Sequence, residues 1–550
     1  MSQREFLPSS SAIANAPEMS AARSAAVARE GFLGKGEAPA VFRSVLTPPS
    51  SDREEPAEPA ESPAFFRDLN LDQIVASIIL GKQEYNLAPF FNRVLTSVEA
   101  IEYRQSVMRD LQDASRYDAI NAFAVSIRSV RDHVAQAGKL HYKLQKQAWL
   151  LDAIEIYCGA VERLVSALNA SPPTSEGLAG FVGFLKAYVC SPAFQQLLQN
   201  TAALKAKLAS VRYKMLIGSG FITVSAFKDE PDYGEEIQAD FEKFRQGAAA
   251  DHIFKFSDFV QMNHIEAGVL ERVARLYPET FEGLGAFIAR SADFFDRTIY
   301  RFDREVQFYI AYIAHMRRLN EAGLPYCYPQ VSARSKEERV TACYDLALAD
   351  SLLGKQHPIV TNDFYLDGRE RIIIVSGPNQ GGKTTFARTF GQLHYLAALG
   401  CPVCAANARL FLFDRLFTHF ERSEDIHNLR GKLHDDLFRL HETLSAATSD
   451  SIFILNEVFN STSLGDAVFL STKVLTRIIE LDAICVCVTF MDELVSLSNT
   501  TVSMASNVKP DDIAERTFKV TRRPPDGLAY AISVAEKYRL TYKQLRERLP

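Results

Sequence analysis

The stretch IIIVSGPNQGGKTTF, residues 372 to 386, decides how the C-terminal half of this chain is read. Four β-branched residues in a row suit a buried strand, and the glycines that follow allow a turn too tight for side chains. Gly377, Gly382, Lys383 and Thr384 have the spacing of a phosphate-binding loop. In such a loop the backbone N–H groups point at phosphate oxygens, and the start of the next helix adds a favourable field. The run Gly377, Pro378, Asn379, Gln380, Gly381, Gly382, Lys383, Thr384 and Thr385 is therefore assigned to nucleotide binding. Lys383 would reach the β and γ phosphates, and Thr384 would offer its hydroxyl to the metal. ATP and Mg2+ are the cofactors this pattern implies.

A second apolar run, SIFILNEVFNSTS at 451 to 463, ends on Asn456 and Glu457. Two carboxylates at the end of such a strand would divide the work, one holding the metal and one activating water. Here the first is an amide. Glu457 is expected to orient the attacking water, and Asn456 can still accept a hydrogen bond from a metal-bound water through its amide oxygen. Both are assigned to catalysis, and Thr384 and Asn456 to the metal. The bland alternative is an acidic residue capping a buried strand. With AICVCVTF at 483 to 490, these runs alternate with helical segments after Gly354, the pattern of a parallel α/β sheet.

Working outward, 550 residues exceed one ordinary core, so two or three domains are expected. Residues 1–63 are rich in Ser, Ala, Pro and Glu and read as a disordered tail. Residues 64–345 carry apolar residues at helical spacing and read as a mainly α-helical domain. RYKMLIGSGFITVSAF, 212 to 227, interrupts it as a hairpin around Gly-Ser-Gly. Residues 346–550 form the α/β domain. A net charge of −6 gives no global pull towards nucleic acid. The basic run KLHYKLQK at 139 to 146 reads as a solvated helix face in preference to a DNA contact. The N-terminal MSQREFLPSS has no secretory pattern, and no apolar run reaches the ~18 residues of a membrane span. A cytoplasmic protein without a membrane partner is expected. Cys401 and Cys404 form a lone CxxC, which reads as ordinary buried thiols.

GPNQGGKTT is very close to the GPNMGGKST loop of the MutS family of DNA mismatch-repair ATPases, and the C-terminal 180 or so residues resemble that family's ATPase domain. GCPVCA at 400 to 405, FTHFERSEDIHNLRGKL at 417 to 433, SIFILNEVFNSTS, CVTFMDEL at 487 to 494 and DGLAYAISVAEKY at 526 to 538 follow in the family's order. Upstream, EAIEYRQSVMRDL at 99 to 111 resembles the start of its helical core, and the long helix near 293 to 320 its lever. The resemblance implies an ABC-like P-loop ATPase sheet behind a core and lever domain, DNA as partner, and a homodimer or a heterodimer with a MutS-like paralogue.

The departures from the family pattern bear on activity. About 63 residues before the helical core leave no room for the mismatch-reading and connector domains, so binding without mismatch preference is expected. Asn456 replaces the metal-side Asp, and Thr489-Phe490 replaces the family's Thr-His. Gly431 and Lys432 stand where the signature serine reaches a partner's nucleotide, and His419 replaces an Arg. Phe459 to Ser463 replace a glycine-rich turn. These changes imply slow hydrolysis at a site that still binds, with Lys432 either acting across a dimer on the partner's nucleotide or standing as a solvated residue at a helix start. The leading expectation is a nucleotide-switched clamp on DNA. The alternative is a catalytically weak regulatory or structural subunit beside a more active relative. A transport-type ATPase ranks below both, because the LSGGQ-type signature is missing.

Overall fold

Side-chain caps set most of the long helices. Ser97, Asp113, Ser191 and Asp296 each accept a hydrogen bond from a backbone N–H two or three residues on, supplying partners that a helix start otherwise lacks. The computed structural model describes residues 42–49, 61–228, 262–355, 357–421, 431–509, 512–524 and 539–548. In chain order the helical part comprises α1 (Leu71–Ile78), α2 (Ala88–Phe91), α3 (Val98–Asp110), α4 (Ala114–Lys139), α5 (Lys143–Ala170), α6 (Glu176–Val189) and α7 (Pro192–Ala209). The hairpin β1 (Tyr213–Gly218) and β2 (Phe221–Ala226) follows, then α8 (His264–Leu276), α9 (Pro278–Arg290) and α10 (Arg297–Glu321).

Helix α10 is the axis of this part. Ile299, Phe302, Val306, Phe308, Tyr309, Tyr312 and Met316 are all buried on it. Its Glu305 accepts from Ser44 Oγ at 3.0 Å and from Val45 N at 2.9 Å, and Tyr309 donates to Val45 O at 2.5 Å. The stretch 42–49 is thus threaded into the helical core, with Val45 and Leu46 buried, although composition groups it with the tail. The rest of residues 1–60 lies outside the described residues. The hairpin forms where expected, with Ile217 paired to Ile222 and Leu216 and Ile217 exposed. The basic run at 139 to 146 does not lie on one helix, because Leu140 to Tyr142 separate α4 from α5.

The α/β part contains β3 (Gln330–Ser332), β4 (Glu338–Cys343), α11 (Leu346–Leu352), β5 (Asn362–Leu366), β6 (Ile372–Ser376), α12 (Lys383–Ala398), β7 (Asn407–Phe411) and β8 (Leu416–His419). It continues with α13 (Lys432–Ala446), β9 (Ile452–Asn456), α14 (Leu464–Glu480), β10 (Ile484–Val488), β11 (Thr501–Lys509), β12 (Asp512–Arg522) and α15 (Tyr542–Arg548). Six strands form one sheet in the order β12-β11-β6-β10-β9-β8, parallel except for the edge strand β12. A smaller sheet has the order β3-β7-β4-β5.

Strands β6, β9 and β10 are buried along their whole length, which explains why they read as continuous apolar runs. Their period of two divides the core. Ile373, Val375, Ile454 and Val486 face the large core shared with the helical part, while Ile372, Ile374, Phe453 and Cys485 face a smaller one.

The large core has no seam between the two parts. Tyr395 OH donates to Phe91 O at 2.7 Å, Arg104 Nη1 to Leu399 O at 3.0 Å and Tyr312 OH to Pro402 O at 2.7 Å. Cys401 and Cys404 are buried in this layer, and burial pushes both thiols up. Among the described residues no group of His, Cys, Asp and Glu is placed to hold a metal. Among them, too, no single helix is long and apolar enough to cross a membrane. The bent pair α6 and α7 passes by length and composition only, and its Phe181, Leu185 and Phe194 are buried in the helical core.

Candidate functional site

The glycine-rich turn between β6 and α12 owes its shape to a neighbouring strand. Gly377 has φ +114°, and a Cβ placed on it would lie 2.5 Å from Ser506 Oγ and 3.1 Å from Ser506 N. A Cβ on Gly381 would meet the same hydroxyl at 2.5 Å and Pro378 O at 2.9 Å. Strand β11 therefore presses Ser506 against the loop, and only glycine leaves room at both places. Pro378 is buried, whereas Asn379 and Gln380 are exposed at the loop's crest, with Gln380 at φ +60°.

Lys383 opens α12 with 4% of its surface exposed. Its Nζ donates to Gly377 O at 2.8 Å, to Pro378 O at 3.1 Å and to Asn379 Oδ1 at 3.3 Å. Burial lowers its pKa below the ordinary lysine value; Glu457 opposes that shift and Arg516 adds to it. Next to it Thr384 Oγ1 donates to Asn456 Oδ1 at 3.0 Å. Thr385 is half-buried one position further into the helix, where its carbonyl accepts from Thr389 Oγ1.

Asn456 ends β9 opposite Val488 of β10. Glu457 follows in left-handed backbone at φ +52°, with its N–H donating to Val488 O at 2.9 Å. Phe459, at φ +63°, is buried and anchors the turn beneath it. Left-handed backbone at a non-glycine residue costs on the order of 1 kcal/mol. Thr489, just past β10, donates from N to Val375 O at 3.0 Å, and its Oγ1 accepts from Met491 N at 3.0 Å. Phe490 beside it is 53% exposed.

The structure thus gathers the loop, Lys383, Thr384, Asn456 and Glu457 at the carboxyl ends of parallel strands, the end at which open α/β sheets bind ligands. Lys432 is not in that group. It follows β8, which β9 and β10 separate from β6, and its ammonium pairs with Glu421. His419 Nε2 lies 3.0 Å from Asp436 Oδ1, tying β8 to α13. Residues 422–430 and 525–538, which hold the middle of one motif and all of the DGLAYAISVAEKY segment, lie outside the described residues.

The donor set fits the inferred ligand. Thr384 Oγ1 and Asn456 Oδ1 are hard oxygens suited to Mg2+, with the Glu457 carboxylate next in the chain. Lys383 is held by the loop's own carbonyls and can exchange them for phosphate oxygens. Sequence reasoning missed three contributors: Ser506, Arg516, whose Nε donates to Asn379 O at 3.3 Å, and Phe518. They arrive over a hundred residues later in the chain, on strands that carry no motif.

Residues 373–541 match the family model described as MutS domain V. The chain is 28% identical over 194 residues to the DNA mismatch repair protein MutS of Thermotoga maritima, a match covering 33% of this chain and 24% of that one. The protein of the same name from Thermotoga petrophila gives the same values. That of Thermotoga neapolitana is 29% identical over 157 residues, 27% of this chain and 20% of its own. The chain therefore matches about a quarter or less of the length of these curated relatives.

Proposed function

Residues 373–541 make this chain a member of the MutS family through its domain V, and from that premise we propose that it is an ATP-binding, nucleotide-switched component of a DNA-processing complex. Its phosphates lie along Gly377 to Thr385, Lys383 carries the charge that holds them, and Thr384 and Asn456 hold the magnesium. Magnesium held by Thr384 and Asn456 would offset the negative charge of the phosphates. Glu457 orients water, but with Asn456 and Phe490 in place of a carboxylate and an imidazole, turnover is slow. DNA is bound without mismatch preference, as by a clamp whose state follows the nucleotide.

The observation that carries the proposal is the hydrogen bond from Thr384 to Asn456 beside a lysine held within the glycine-rich loop. It supports a preassembled binding half and a reduced catalytic half. The test is calorimetric titration of the full chain with ATP and Mg2+. Binding is expected for the native chain, with Lys383→Ala weakening it at least about tenfold; unchanged affinity in that variant overturns the site.

A second reading, a weakly catalytic regulatory subunit, is favoured by a specific surface. Helices α13 and α14 expose the apolar side chains of Leu437, Phe438, Leu464 and Phe469, which a protein partner could cover, either a second copy or a MutS-like paralogue. Lys432, at the start of α13, would then leave Glu421 for the partner's nucleotide, acting as a point charge on its γ phosphate.

A further inference from the structure

Residues Phe42 to Leu46 sit in the helical part in the manner of a bound peptide. They form neither helix nor strand, and among the described residues none of their hydrogen bonds runs from backbone to backbone. Four consecutive carbonyls are instead each taken by a different side chain. Arg301 Nη1 donates to Arg43 O at 3.2 Å, Tyr103 OH to Ser44 O at 2.8 Å, Tyr309 OH to Val45 O at 2.5 Å and Arg104 Nε to Leu46 O at 2.9 Å. Arg301 and Tyr309 stand on α10, and Tyr103 and Arg104 on α3.

The side chains of the segment are recognised as well. Ser44 Oγ donates to Glu305 Oε2 at 3.0 Å and accepts from Leu46 N at 2.9 Å, while Val45 N donates to the same Glu305 oxygen at 2.9 Å. Val45 and Leu46 are buried, Arg43 is exposed, and the Phe42 ring lies 5.2 Å from that of Phe181 and 6.4 Å from that of Phe184 on α6. The groove therefore selects an aromatic residue, any residue, serine and two aliphatic residues. Emptying it would take two donors from the buried Glu305 carboxylate and the acceptors from two tyrosine hydroxyls, which disfavours a vacant state. Its present occupant is joined to the core through TPPSSDREEPAEPAESP, residues 47 to 63, which has the composition of a linker.

We infer that the groove between α3, α6 and α10 is a recognition site for a short peptide of this pattern. The chain fills it with its own Phe42 to Leu46 as a removable strap, and a partner protein presenting the same pattern takes the strap's place. Arg104 also donates from Nη1 to Leu399 O at 3.0 Å, where α12 ends, so a side chain that reads the peptide is a fastener of α12 too.

The experiment uses the full chain with a protease site inserted between Glu55 and Pro56, so that after cutting only the groove retains the strap. The N-terminal piece is expected to co-elute with the remainder on size exclusion. A fluorescent peptide of residues 41–49, VFRSVLTPP, should displace it and gain anisotropy with one site per chain. Peptides carrying Ser44→Ala or Leu46→Asp should bind at least about tenfold more weakly, and Glu305→Gln in the cut chain should release the piece. In the uncut chain the attached strap competes at an effective concentration on the order of millimolar, so the peptide should bind at least about a hundredfold more weakly there. A second measurement needs no cut: amide exchange in the native chain should be at least about tenfold faster at Val45 and Leu46 than at Tyr309 and Tyr312, reporting local opening of the strap. Exchange at Val45 and Leu46 as slow as at those α10 residues would make the segment a permanent part of the core and overturn the inference. A cut chain that stays folded by circular dichroism yet binds no peptide, or that binds the Leu46→Asp peptide as well as the native one, also overturns it. If cutting unfolds the chain, the strap is not removable and the inference falls.

Discussion

Asn456 is a carboxylate's isostere without its charge, and the bond it makes is one a carboxylate could keep. Its Oδ1 accepts the Thr384 hydroxyl at 3.0 Å, so Asn456→Asp adds a negative charge without asking any neighbour to move. Phe490 is 53% exposed, so Phe490→His fits without repacking. The double variant is expected to release phosphate at least about tenfold faster than the native chain, since one well-placed stabiliser of transition-state charge is commonly worth ~10² to 10³ in rate. A rate unchanged within error, at unchanged ATP affinity, would mean that these two positions do not limit turnover. Residue by residue, the loop was legible because glycine, lysine and threonine at fixed spacing have few other uses. Ser506 and Phe518 were not, because their importance comes from sheet order, and nothing in NTTVSMASNV or ERTFKVTRR announces which loop they touch.

At the scale of elements, α4 meets α10 through a buried charge. The Asp303 carboxylate on α10 bonds the Arg131 guanidinium on α4, with Lys82 and Glu84 nearby. Burial pushes the Asp303 carboxyl up to about 6 from 3.8, although Arg131 opposes the shift. The folded state therefore keeps a proton that the unfolded state releases between about pH 4 and 6, so this group's contribution to stability falls as pH rises through that window and is flat above it. The difference is on the order of 3 kcal/mol. Urea midpoints measured from pH 4 to 7 should show this fall in the native chain and a flatter profile in Asp303→Asn; parallel profiles would refute the assignment. The helical pattern made α10 legible, with its start at Arg297 rather than the expected 293 because Asp296 caps it. The packing of 42–49 was not legible, since five useful residues, FRSVL, are diluted in a long polar segment.

For the whole molecule, a net charge of −6 confines any nucleic-acid contact to local surfaces. Duplex DNA should bind with an affinity that falls as salt rises, because phosphate contacts release counterions. Matched and mismatched duplexes at one salt concentration should differ by less than about tenfold, ~1.4 kcal/mol. A larger preference for the mismatch would require a reading element that the proposal does not contain. The division into a helical and an α/β part was legible from the change of period after Gly354, but the absence of a seam between them was not. Residues such as Tyr395 and Tyr312 look like generic core in a sequence and reveal themselves as fasteners only when their hydroxyls find Phe91 O and Pro402 O.

Those fasteners have a mechanical consequence. Helix α12 begins at Lys383, on the phosphate loop, and ends where Tyr395 and Leu399 are bonded to Phe91 and Arg104. Well-packed interiors compress little and pass displacement on instead of absorbing it. A tilt imposed at the loop end of this sixteen-residue rod would therefore arrive at α3 and the α2 region as motion and not as slack. The helical part would behave as an extension of the nucleotide site, a stiff pointer whose far end moves further than the end that is pushed.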